Sequence, residues 1–72
     1  MARLRTNLDV RGYAALHDVR LGEIAEHMGI THSTFSIKYM SEELSKEQKN
    51  MLKRMIDQIE RERNDYRRIQ EA

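Results

Sequence analysis

Four apolar residues, Leu21, Ile24, Ala25 and Met28, fall at i, i+3, i+4 and i+7, and Gly29 follows at once. The spacing predicts a short helix over 21–28 with a single apolar stripe. Gly29 sits where a helix ends in a left-handed residue, the conformation that costs glycine least. Ile30 then turns the chain inward, and Thr31 is placed to cap a new helix over 32–40. In that helix Phe35 and Tyr39 make an i, i+4 pair. Two helices joined this tightly cross steeply, and Ala25 is small at their closest approach. Phe35 holds the second helix from one side only. Its other side is left to Thr31, His32, Ser33, Ser36 and Ile37.

Residues 21–40 therefore read as a helix-turn-helix; in a DNA-binding unit the outer side of the second helix enters the major groove. The rest of the chain fits an all-α fold in one domain over 1–72. Residues 1–8 read as a short arm carrying Arg3 and Arg5. Asp9 is placed to cap a helix over 9–17, with Val10, Tyr13, Ala14 and His17 along one face. Residues 17–20 read as a turn. Ser45 and Gln48 form a capping box for the last helix, and Glu47 suits the positive end of its dipole. Met51, Leu52, Met55, Ile56 and Ile59 share one face of it. Firm helix is expected over 46–63, with a charged, frayed tail over 64–72.

Composition narrows the function. At 72 residues with no cysteine, the chain has no disulfide staple, no thiolate metal site and no cysteine nucleophile. No apolar run approaches the roughly 20 residues that span a bilayer, and no hydrophobic stretch follows the basic N-terminus as in a secretory signal. A cytoplasmic location is expected. So small a chain is not expected to be an enzyme with its own pocket, and no small-molecule substrate or cofactor is implied. Ser33, Ser36 and Ser41 lack an oriented base. His17, His27 and His32 do not form a metal set, so no metal is expected. The 13 basic and 12 acidic residues nearly cancel. They are unevenly spread: residues 1–22 hold four Arg against two Asp, and residues 23–50 hold five Glu against three Lys. A strong DNA binder shows a clearer basic footprint.

The run Ile24-Ala25-x-x-Met28-Gly29-Ile30-Thr31-x-Ser33-Thr34-Phe35-Ser36 resembles the lambda-repressor/Cro-like helix-turn-helix regulators of temperate phages and mobile elements. The resemblance covers roughly residues 9–60. It implies a compact four- to five-helix domain with a long C-terminal helix, acting in a genetic switch. Cro-type operator binders and MOR-type (modulator of repression) antirepressors are the two small forms it suggests. Many relatives carry a basic residue where this chain has Ile37, and here the exposed face holds no arginine. That departure bears on function, because arginine to guanine is the commonest specific base contact.

Two readings follow. As an operator binder, the chain would use Thr31, His32, Ser33, Ser36 and Lys38, with Arg20 or Arg3 on phosphates. As an antirepressor, it would dock on the cognate repressor protein through Ile37, Tyr39, Met40, Glu42 and Glu43. The acidic pair would complement a basic repressor surface, and Ile37 would anchor the contact. Met28, Met51 and Met55 read as core filling, whereas Met40 is expected on the adaptable contact surface. Arg61, Arg63, Arg67 and Arg68 alternate with acidic residues and read as a solvated helix face. The sharper alternative is self-association through Ile59, Tyr66 and Ile69.

Overall fold

A computed structural model describes residues 6–71, the side chains through Gln70. Among them are four helices: α1 (Leu8–Leu16), α2 (Leu21–Met28), α3 and α4 (Lys46–Glu71). α3 begins as an α-helix over His32–Phe35 and runs without a break into a π-helical turn over Ser36–Met40. α1 and α2 pack on α4, and α3 packs on α2.

α1 starts one residue earlier than Asp9 predicts. Its N-cap is Asn7, in the left-handed region at φ 52°. The Asp9 carboxylate instead accepts from the next amide, Val10 N, at 3.0 Å. The expected arm over 1–8 is also corrected at its end. Thr6 and Asn7 are held against the end of α3, while residues 1–5, with Arg3 and Arg5, lie outside the described residues.

α1 and α2 end in the same way. At the end of α2, Gly29 has φ 76°, Gly29 N donates to the Glu26 carbonyl at 3.0 Å, and Ile30 N donates to the Ala25 carbonyl at 3.0 Å. This is a Schellman motif. At the end of α1, Asp18 N donates to Ala15 O at 3.1 Å and Val19 N to Ala14 O at 2.8 Å. There the left-handed residue is Asp18, at φ 55°. Each motif sets a small alanine inside the helix end and turns the next apolar residue, Val19 or Ile30, toward the core. Asp18→Gly should raise stability by about 0.5–1 kcal/mol, because a side chain at this φ is strained. Arg63 donates to the Asp18 carbonyl at 2.8 Å, a bond that the substitution keeps. A urea midpoint equal to or below that of the parent protein would refute this.

The core gathers Val10, Ala14, Val19, Ile24, Ala25, Phe35, Met40, Leu52 and Ile56, all buried. Each fully buried Leu, Ile or Phe contributes roughly 1.5–3 kcal/mol. Polar contacts tie α1 and α2 to α4. Tyr13 Oη donates to Asp57 at 2.5 Å, and His17 Nδ1 meets Glu60 at 2.8 Å. The bond to Asp57, helped by partial desolvation, raises the Tyr13 pKa above the usual phenol value. Arg63 joins Glu23 of α2.

α4 continues to Glu71, beyond the predicted boundary at Arg63. Arg63 is the last half-buried residue, and 64–70 are exposed. The expected boundary marks where packing ends rather than where helix ends. Arg, Glu and Gln are good helix formers, and no glycine or proline interrupts the segment. The 26 residues of α4 span about 39 Å, most of the molecule's 46 Å long axis.

Lys49 bridges the start of α1 to the loop before α4, pairing with Glu43 and lying 3.4 Å from Asp9. The ammonium group and the Asn7 N–H hold the Glu43 carboxyl below its ordinary 4.5. Partial desolvation pushes Asp9 up, but the Val10 N–H and Lys49 outweigh it and hold the carboxyl below 3.8. Bonding to Glu43 raises Lys49 above 10.5 despite desolvation. The lowered carboxyls add stability above their ordinary values, and this is lost as pH falls through the folded values. The raised lysine adds stability that is lost as pH rises through its folded value. The gap in urea midpoint between the protein and Lys49→Met should therefore hold from about pH 5 to about pH 10 and close on either side. A gap that persists in acid strong enough to protonate both carboxyls would refute the assignment.

Candidate functional site

The α2–α3 pair presents the outer face that the sequence singles out. Thr31 caps α3: its Oγ1 accepts from Thr34 N at 3.1 Å and donates to Thr34 Oγ1 at 2.9 Å. This closes the first turn and fixes where His32 and Ser33 emerge, both exposed. Phe35 is fully buried. Its ring centroid lies 5.3 Å from that of Tyr39. Phe35 anchors the inner side of α3 and leaves the outer side free.

Thr31, His32, Ser33, Ile37 and Lys38 are exposed together on α3, and Ser36 is half-buried beside Phe35. Ile37 is 74% exposed; other large aliphatic side chains of this chain, Leu16 and Ile69 among them, are similarly exposed, but Ile37 is the one on α3. Arg20 is exposed before α2, where its backbone N–H donates to Glu23 at 3.2 Å. It therefore belongs to the opposite end of α2 from the α3 cap. Lys38 is the one Lys or Arg on α3.

The residues expected to form a contact surface with Ile37 do not all do so. Met40 is buried, at 5% exposure, and this is a correction. In an α-helix Met40 would lie about 140° from Phe35 and face outward. The wider π turn brings it back to the inner side. Tyr39 is half-buried and packs on the core. Glu43 is exposed, but both its oxygens are engaged: Oε1 accepts from Asn7 N at 2.9 Å and Oε2 pairs with Lys49. Glu42 is exposed. The outward surface thus contracts to Ile37, with Ser33, Lys38, Ser41 and Glu42 as its polar neighbours in the chain.

Sequence reasoning missed Asn7, a fully buried polar residue. Its Nδ2 donates to the carbonyls of Tyr39 at 2.8 Å and Glu42 at 2.9 Å. Its Oδ1 accepts from Leu44 N at 2.8 Å. The side chain thereby fixes the exit of α3. One signal was available: asparagine is enriched both at N-caps and in the left-handed region.

Among the described residues, no three His, Cys, Asp or Glu side chains gather to hold a metal ion. No helix among them is long and apolar enough to cross a membrane. The chain matches no protein-family model, no curated protein and no solved structure in comparisons with each.

Proposed function

We propose that the α2–α3 pair is a lambda-repressor/Cro-type helix-turn-helix and that the chain is a small regulator of a phage-type genetic switch. In this reading it acts as an antirepressor, docking the outer face of α3 on the cognate repressor protein. The observation that carries it is Ile37, 74% exposed on a helix whose only Lys or Arg is Lys38. An aliphatic anchor rimmed by small polar groups suits a protein contact. Affinity for DNA comes mainly from several lysines and arginines on phosphates, which this face does not offer.

The second reading, operator binding, draws on Thr31, His32 and Ser33, exposed together at the start of α3. Those groups can donate to phosphates or base edges. Arg20 and Lys38 would supply the charge.

Size-exclusion chromatography of the protein mixed with the repressor encoded beside it tests the main reading. A joint peak at micromolar concentration is expected. Ile37→Asp should weaken the complex by about 2 kcal/mol or more, roughly thirtyfold in Kd, and leave helix content unchanged. Separate elution of the parent proteins would overturn the antirepressor reading. DNA binding that weakens steeply with salt, and that Lys38→Ala reduces while Ile37→Asp spares, would favour the operator instead.

A further inference from the structure

An α-helical and a π-helical continuation of α3 would present different side chains. In an α-helical continuation, Lys38 and Tyr39 stand at i+3 and i+4 from Phe35, on the inner side. Lys38 would then face the core and Met40 the solvent. The i→i+5 turn over Ser36–Met40 exchanges the two. Met40 joins Phe35 in the core, and Lys38 is exposed beside Ile37.

The carbonyls at the end of a helix lack intrahelical partners. Here they are captured by two residues from the far end of the sequence. Thr6 Oγ1 donates to Met40 O at 2.6 Å. Asn7 Nδ2 donates to Tyr39 O and Glu42 O, while Leu44 N returns a bond to Asn7 Oδ1. Within the turn, Ser41 Oγ donates to Ile37 O at 2.5 Å. The bonds from Thr6 and Asn7 end on carbonyls within and just after the π turn.

We infer that Thr6 and Asn7 form a latch that sets the register of α3. The latch holds Ser36–Met40 in the π form, so the segment preceding α1 decides whether Met40 or Lys38 lies on the outer face. The coupling is a property of the fold and holds for any occupant of that face. Burial of Met40 also favours the π form, so the latch must be tested with Met40 in place.

Two variants do this. Asn7→Gly keeps the left-handed backbone at low strain and removes the three side-chain bonds of Asn7, to Tyr39 O, Glu42 O and Leu44 N. Thr6→Val removes the Met40 carbonyl's hydroxyl partner with little change of shape. The readout is the initial rate of peroxide oxidation at each methionine, mapped by mass spectrometry on the whole chain. Released to the α register, Met40 should oxidise about tenfold faster in Asn7→Gly. Thr6→Val should give a smaller rise in the same direction. Met28, Met51 and Met55, packed against the core from α2 and α4, should change little. A common rise at Met28, Met40, Met51 and Met55 would mean general loosening and would overturn the proposal. An unchanged Met40 rate in a folded variant would overturn it too, leaving Met40 burial as the determinant. If Asn7→Gly does not fold, the rate in Thr6→Val decides alone.

Discussion

Phe35→Ala is expected to cost about 3–5 kcal/mol, the range for removing a buried phenylalanine. Phe35 is the largest fully buried side chain and the inner anchor of α3. A chain of 72 residues has roughly 4–11 kcal/mol of stability in all. The substitution therefore consumes about a quarter of it at the least. For a domain this small, the melting temperature should fall by roughly 15–30 °C. The cost combines lost apolar burial with a cavity that α2, α3 and α4 cannot close without moving. Ile37→Ala, two residues away, removes a smaller, aliphatic group from an exposed site and should change stability by less than about 0.5 kcal/mol. Urea titrations followed by far-UV circular dichroism compare the two directly. A loss below about 1 kcal/mol for Phe35→Ala would mean that α3 is held by something other than its inner face.

The contrast between Phe35 and Ile37 was legible in the sequence, as were the bounds of α2 and the left-handed glycine after it. Those features rest on local signals: an apolar stripe of helical period, a glycine at its end and a threonine cap. The start of α4 was legible for the same reason, through Ser45 and Gln48; Gln48 N donates to Ser45 Oγ at 3.3 Å. Met40 and Asn7 were not legible. The burial of Met40 depends on a π turn, and periodicity at 3.6 residues places the side chain on the wrong side. The role of Asn7 depends on partners more than thirty positions away in the chain, and no local pattern announces them. Asp18 is the intermediate case. Its motif repeats that of Gly29 bond for bond, but an aspartate does not signal a positive φ as a glycine does. The face on α3 was thus recoverable where single helical turns define it. It was lost at Met40, where the turn is π rather than α, and at Asn7, whose partners are distant in the chain.

Asn7→Ala is the second change expected to be severe, at about 3–5 kcal/mol. Three side-chain hydrogen bonds disappear at once, to Tyr39 O, Glu42 O and Leu44 N. A polar group left buried without a partner costs roughly 1–3 kcal/mol. Water reaching the exposed side of Glu42 and Leu44 recovers part of that. The alanine must also hold φ 52°, which adds about 1 kcal/mol or more. These two components separate in the graded variants. Asn7→Gly loses the same three bonds but relieves the backbone, so it should be about 1 kcal/mol more stable than Asn7→Ala. Asn7→Asp keeps the acceptor for Leu44 N and loses both donors, placing two carbonyls against a carboxylate. It should be as damaging as Asn7→Ala near neutral pH, and less so in acid, where a protonated carboxyl donates again. Chemical denaturation of the four proteins at two pH values reads out the series. Equal stability of Asn7→Ala and the parent protein would show that the Asn7 side chain does not hold the end of α3, leaving that role to the buried Met40 and Phe35 and to the remaining bonds from Thr6 Oγ1 to Met40 O and from Asn7 N to Glu43.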